Sequence, residues 1–412
     1  MSTITNPTTA LSDSVRSRRL TPGHEATVVA TLPVIGAHIN EITPVFYNRM
    51  FAAHPELIRD TFNRGNQRSG GQQKALAASV ATFATMLVDP DAPDPVAMLS
   101  RIAHKHVSLG ITADQYQIVH DHLFAAIVEV LGDAVTPDVA EAWDEVYWLM
   151  AEVLIDAESG LYGAAGVEPG DVFRDAVLAA RRDLSDTVTE FTFTAPDEFA
   201  GARAGQYVSV GVVLPDGARQ LRQYSLVGWD AQGFTIAVQR DGEVSAALLD
   251  GLTVGDRVDA TLPAGDLVLE DAVTSGDVPV VLVSSGIGST PMTGMLSALV
   301  AAGTAPTVTV LHADDDEASY AQREVTAAAV AALRDAGATV QVVECYRDNG
   351  DTVDLAPLAA RSVVPAEAVW YLCGGTAFLQ DVRSQLESET AVLRPAAVHV
   401  ELFGPNDWLL GE

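Results

Sequence analysis

Cysteine is almost absent: Cys345 and Cys373 are the only two in a chain of 412 residues. They cannot build a disulfide framework and suit a reducing compartment, so the expected location is the cytoplasm. Positive charge is scarce too, with 24 Lys and Arg against 55 Asp and Glu, a net charge of −31. Such a field repels nucleic acid and anionic lipid, and neither is expected as a stable partner. It also repels anionic cofactors, so any phosphate site must be built locally from arginines and backbone N–H groups. No apolar run approaches the roughly 18 residues of a membrane span. The first twenty residues are rich in Ser, Thr and Arg but lack the apolar core of a secretion signal. They read as a frayed N-terminal extension, with an organelle transit peptide as the alternative.

What is present describes a globular protein: 48% hydrophobic and 19% charged residues. The length implies two or three domains. Residues 27–162 show helical periodicity and no convincing strand, punctuated by Pro55, Pro90, Pro93, Pro95 and Pro137 near helix starts or loops. Helices of roughly 10–20 residues are expected, making an all-α first part. The stretch 163–170 reads as a linker. Beyond it the period becomes two: 187–194, 206–214, 234–239 and 257–262 are strand candidates, forming a small antiparallel β-barrel or sandwich. From 278 onward apolar strands (280–284, 307–312, 339–345, 369–373 and 397–403) alternate with Ala-rich helices, the pattern of an α/β parallel sheet. The expected divisions are an extension 1–22, a helical domain 23–162, a linker 163–171, a β domain 172–273 and an α/β domain 274–412.

Chemistry-bearing residues sit in each of the last two domains. Arg222-Gln223-Tyr224-Ser225 puts Arg222 and Tyr224 on one strand face, with Ser225 beside them. Arginine can hold a pyrophosphate bidentately, an aromatic can cover a flat ring, and a hydroxyl can bond a ring nitrogen. Twenty residues on, Gly242-Glu243-Val244-Ser245 opens an apolar helix whose free N–H groups suit the same pyrophosphate. In the third domain, strand 280–284 leads into Gly286-Ile287-Gly288-Ser289-Thr290-Pro291. The glycines admit a phosphate to the backbone, Thr290 is a candidate N-cap and Pro291 fits the first helical position. Pro291 stands where a Rossmann fingerprint has its third glycine, so this is a different loop.

These motifs in this order resemble the ferredoxin-NADP reductase family over about 172–412. The resemblance implies that Arg222 binds flavin phosphates, Tyr224 flanks the isoalloxazine and Ser225 bonds near N5. Tyr207, Gln223, Gly242, Val244 and Ser245 complete an FAD site, and Gly286, Gly288, Thr290 and Pro291 a nicotinamide site. Tyr371-Leu372-Cys373-Gly374-Gly375 resembles the family's second nicotinamide loop, with Cys373 and Gly374 in place and Gly375 where a proline is usual. The run Asp314-Asp315-Asp316-Glu317 falls where the adenosine ribose is expected. Carboxylates there repel a 2′-phosphate, so NADH is expected over NADPH, against the alternative of a solvated loop.

The helical part carries Ile102, His106 and Leu109 at i, i+4, i+7 spacing, which turns one histidine inward. Alone it reads as a core histidine; a neutral imidazole in an apolar pocket is also what haem iron takes as its ligand. Fused to a flavin reductase, and with Phe46-Tyr47-Asn48-Arg49-Met50-Phe51, the stretch Phe62 to Arg68, Gln72 to Leu76, Lys105-His106 and Gln115-Tyr116, the chain resembles a flavohaemoglobin of the nitric oxide dioxygenase family. The resemblance covers roughly His24 to Asn406. It implies a globin with His106 as proximal haem ligand, Tyr116 and Glu158 in its hydrogen-bond network, Tyr47 and Gln72 on the oxygen side, and Phe62 and Leu76 shaping the pocket. It further implies Lys105 and Glu401 at the contact of haem and flavin domains, and Phe403 near the flavin ring. His104, His120 and His122 are expected to be structural or exposed. The expected cofactors are haem b, FAD and NADH, with NADPH as the alternative donor. The expected protein is a monomer acting on oxygen and nitric oxide. A haem-dependent peroxide reductase or an oxygen sensor are the rival readings, and a haemless flavin reductase is separated from all of these by a Soret band.

Overall fold

The computed structural model describes residues 7–92, 95–388 and 392–404. The chain divides into two compact units: Met1–Phe173 with Val213–Leu221, and Arg174–Val212 with Arg222–Glu412.

The first unit is helical: α1 (Pro7–Ser17), α2 (Pro22–Ala53), α3 (Pro55–Asp60), α4 (Arg64–Ser69), α5 (Gly71–Val88), α6 (Val96–Val107), α7 (Gln115–Leu131) and α8 (Pro137–Ala165). Prolines open α2, α3 and α8, where the missing N–H has no acceptor to lose. Two helices exceed the expected length: α2 runs 32 residues through Pro33 and Pro44, and α8 runs 29. Tertiary packing holds α2 together, since Ile42, Phe46 and Met50 form a stripe at i, i+4, i+8 buried with Leu123, Ala126 and Ile127 of α7. By length and composition α2 could also cross a membrane, which runs of consecutive apolar residues did not reveal. The frayed N-terminus also needs correcting: α1 is a helix, with Leu11 and Val15 buried, and packs on α6 and α8. The expected linker is partly helical, because α8 continues to Ala165 before Gly166 ends it in the left-handed conformation.

The second unit contains a closed barrel and a parallel sheet. The barrel strands are β1 (Phe173–Asp183), β2 (Val188–Thr194), β3 (Tyr207–Val213), β4 (Arg219–Asp230), β5 (Gly233–Gln239) and β6 (Arg257–Thr261), in the order β1-β2-β5-β4-β3-β6, with helix α9 (Glu243–Gly251) after β5. Stacked Phe193, Phe234 and Phe199 lie in its core. The connection of β3 to β4 turns at Pro215-Asp216-Gly217, with Gly217 at φ 82° and Asp216 Oδ1 accepting from Ala218 N.

After α10 (Asp271–Thr274) come β7 (Val280–Ser285), α11 (Ser289–Ala302), β8 (Thr307–Asp314), α12 (Arg323–Asp335), β9 (Thr339–Tyr346), α13 (Leu355–Ala360), β10 (Val369–Cys373), α14 (Thr376–Ser388) and β11 (Ala397–Glu401). The sheet order is β11-β10-β7-β8-β9, every pairing parallel. The strand ends of β7 and β10 therefore lie side by side, with Ser284 opposite Cys373.

Candidate active site

In the helical unit His106 ends α6 with its Nδ1 engaged, 2.7 Å from Glu158 Oε1 and 3.1 Å from the Tyr116 hydroxyl. Tyr116 also donates to Glu158 at 2.5 Å. Glu158 is 3% exposed, so the charge is taken out of water and must be met by these donors. Burial, and then the Glu158 carboxylate, push the Tyr116 phenol well above its ordinary pKa, so it remains a donor. With Nδ1 committed, Nε2 is the nitrogen left for a metal. The face expected around His106 is shorter than its spacing suggested: α6 stops at Val107, and Leu109 lies in the turn whose N–H bonds His106 O.

Tyr47, 4% exposed on α2, has the side chains of Gln72 and Gln67 beside its hydroxyl, and burial raises its pKa above the usual phenol range. Its ring meets Phe46, Phe51 and Phe62. Leu76 and Phe62 pack against the same cluster. A cleft of about 330 Å³ beside it is lined by Tyr47, Asn48, Phe51, Ile58, Arg64, Gln67, Arg68 and Gln73. Gln67 was not singled out from the sequence; a polar residue in a short helix following an Asn cap carries no signal of its own. Lys105 is exposed on α6. Among the other histidines, His120 bonds Asp144 and stacks on Phe124 and Trp148, while His122 meets His54 edge-on.

On β4, Arg222 lies 3.9 Å from Glu243 at the start of α9, and Gln223 bonds Ser209 Oγ at 2.8 Å. Tyr224 is half-buried, and desolvation raises its pKa. The Ser225 hydroxyl is buried with no hydrogen-bond partner among the described residues. Gly242 has φ 86° and precedes α9, Val244 is buried, and Ser245 Oγ accepts from Asp241 N. Tyr207 starts β3 and pairs with Ala264.

In the parallel sheet, a short 3-10 turn Gly286–Gly288 runs directly into α11. Among the described residues, no heavy atom beyond its chain neighbours lies within 4 Å of where a Gly286 Cβ would stand, whereas one at Gly288 would collide with the Cys373 carbonyl and one at Gly374 with the Ser285 hydroxyl. The sequence placed the helix start two residues late and misassigned the cap. The helix opens at Ser289, and Thr290 Oγ1 donates back to Ile287 O instead of capping. Pro291 is thus at the third helical position, still within the turn that has no intrahelical acceptors. The acidic run is largely engaged: Asp314 with His312, Asp315 with Arg347, Asp316 with Ser319 and Glu317 with Arg323. Glu401 ends β11 opposite Cys373, and Phe403 beyond it is 51% exposed.

An α-helical unit with a metal-ready histidine and a barrel-plus-parallel-sheet unit with flavin and nucleotide loops define a globin joined to a flavin reductase. The globin family profile matches residues 45–154. A flavohemoprotein of Deinococcus radiodurans is 37% identical, covering 94% of this chain and 98% of its own. One from Bacillus subtilis is 34% identical over 92% and 96%. A crystal structure of flavohemoglobin from Malassezia yamatoensis with bound FAD and heme superposes with a TM-score of 0.83 at 33% identity, covering 94% of this chain and 100% of that one. The chain belongs to the flavohaemoprotein family, a globin–FAD–NAD reductase fusion. Its residues fit the cofactors: His106 presents Nε2 and, among the described residues, Ser225 presents a buried hydroxyl without a partner and Gly286 leaves open backbone.

Proposed function

We propose that the protein is an NAD(P)H-dependent nitric oxide dioxygenase that converts nitric oxide and oxygen to nitrate by FAD-to-haem electron transfer. The observation that carries this reading is the Glu158 carboxylate behind His106 at 2.7 Å. A carboxylate in that place makes imidazole a stronger electron donor, favouring oxygen activation over reversible carriage. The cofactors, when bound, would supply the redox chemistry: FAD would take the two electrons of one hydride and hand them on one at a time, as a haem that combines oxygen with nitric oxide requires.

The side chains set the conditions for that chemistry. Glu158 accepts the His106 Nδ1 proton and so fixes the tautomer, while Tyr116 supplies the carboxylate with a second donor. Tyr47 and Gln72 are the hydrogen-bond donors on the oxygen side, and Phe62 and Leu76 close the pocket against water. Arg222 and the N–H groups after Gly242 hold the flavin pyrophosphate, Tyr224 covers the ring, and Ser225 bonds near N5. Gly286, Gly288, Cys373 and Gly374 form the nicotinamide floor. The reading extends to a cytoplasmic monomer acting on small molecules.

The test is consumption of nitric oxide with NADH in air, with nitrate measured as product. His106→Ala is expected to abolish both haem retention and this activity while leaving NADH-dependent reduction of an artificial acceptor. Nitric oxide consumption that survives the substitution overturns the assignment. A wild-type protein that turns over organic peroxides but not nitric oxide replaces it with a peroxide reductase, which the same proximal carboxylate would serve.

A further inference from the structure

Gln220 is 1% exposed and lies on the Val213–Leu221 segment, which belongs to the helical unit although β4 continues into the barrel. Its amide is spent on one turn, that between α3 and α4. Nε2 lies 3.2 Å from Ile58 O, 2.9 Å from Arg59 O and 3.2 Å from Phe62 O. Two amide protons are therefore shared among these three carbonyls and, more distantly, the carbonyl of Arg219 at 3.5 Å. Oε1 accepts from Arg64 N at 3.3 Å.

These backbone groups need an outside partner. The last carbonyls of α3 and the first N–H groups of α4 have none within their helices, and each helix has only six residues. Helices that short do not sustain themselves. Asn63 Oδ1 takes Gly65 N and Asn66 N, and Gln220 takes Arg64 N, so the two side chains together satisfy the first three donors of α4. The neighbours of Gln220 hold the same turn: Arg219 N donates to Asp60 at 3.2 Å, and Arg64 pairs with Asp216 at 2.6 Å.

The turn leads to the oxygen-side residues. Phe62, whose carbonyl Gln220 holds, sets its ring edge-on to Tyr47 with centroids 6.0 Å apart and to Phe51 at 5.3 Å. Gln67 on α4 lines the same cleft as Tyr47, and its Nε2 is buried with no hydrogen-bond partner among the described residues. We propose that Gln220 is a positioning residue of the haem pocket: by clamping the α3–α4 turn it sets Phe62 and Gln67, and through them the Tyr47 hydroxyl, for binding oxygen. The proposal rests on haem binding alone and not on which substrate the oxygen meets, so it stands or falls separately from the dioxygenase reading.

The experiment uses the full-length holoprotein. Gln220→Leu keeps the volume and removes every hydrogen bond of the amide. The oxygen dissociation rate of the reduced protein is expected to rise about tenfold, the worth of roughly one hydrogen bond at Tyr47. NADH-dependent flavin reduction is expected to stay at its wild-type rate. Val28→Ala, a fully buried position in α2, serves as a control that lowers stability without touching the turn, and it is expected to leave the oxygen rate unchanged. An unchanged rate in Q220L, or an equal rise in V28A, overturns the proposal. Should Q220L fail to fold, Gln220→Glu keeps the acceptor for Arg64 N but loses the donors; the same rise, read in the same way, is expected, and a wild-type rate there is equally fatal.

Discussion

Glu158 and His106 are 52 residues apart in the chain and 2.7 Å apart in space. Glu158→Gln keeps the shape and removes the charge. Haem content, read from the Soret band, is expected to be retained. Nitric oxide turnover is expected to fall by about 10–100-fold, the usual effect of losing a partner behind a metal ligand. Wild-type turnover in E158Q would reduce the carboxylate to a packing role.

Ser225 offers a contrast between folding and function. Its hydroxyl is buried without a partner among the described residues, a state that costs stability until a ligand meets it. Ser225→Ala is therefore expected to leave the thermal stability of the flavin-free protein equal or higher, yet to slow flavin reduction by NADH about tenfold. Stopped-flow absorbance of the flavin band and a melting curve separate the two effects. Lower stability without a kinetic change would contradict the flavin contact.

Gly288→Ala drives a methyl into the Cys373 carbonyl. Overpacking of this kind costs about 1–3 kcal/mol, and the affected loops are those assigned to the nicotinamide. The apparent KM for NADH is expected to rise sharply, whereas dithionite should still reduce the flavin. Normal NADH kinetics would mean the two loops do not form that site.

Donor preference is a finer question. The run Asp314 to Glu317 argued for NADH by repulsion of a 2′-phosphate, but Arg323 and Arg347 stand paired within it. Unspent negative charge is smaller than the sequence suggested. We still expect a higher kcat/KM with NADH than with NADPH, because the carboxylates outnumber these arginines. Glu317→Ala would remove one of the two carboxylates that hold Arg323, Glu344 being the other, and is expected to narrow the ratio. A wild-type preference for NADPH would reverse the expectation.

Much of this was legible in the sequence because periodicity and glycine placement carry it. The change from helical to alternating pattern marked the barrel, and the strands of the parallel sheet read as short apolar runs. Strand β1 escaped notice because only Ala176 and Leu178 of its 11 residues are buried, so little alternation shows. The long α2 escaped because Pro33 and Pro44 look like breaks, whereas packing against α5, α7 and α8 holds the helix through them. His106 stood out by its spacing, whereas Tyr116 and Glu158 were named only through the family resemblance, since no local pattern brings together residues from α6, α7 and α8. Gln220 left no signal, since a glutamine near a turn looks like a solvated residue until its partners are seen.

The segment Val213–Leu221 gives the fold's modularity a limit. Read along the chain, the oxygen-binding half ends near the glycines at 163–170, and everything beyond belongs to the electron supply. In space, nine residues of the later half are lodged with the earlier one. A reductase exchanged for that of a relative would therefore bring its own β3–β4 tip to the turn beside Phe62. If Gln220 acts as proposed, such a chimera inherits a gas-binding rate along with its electron donor.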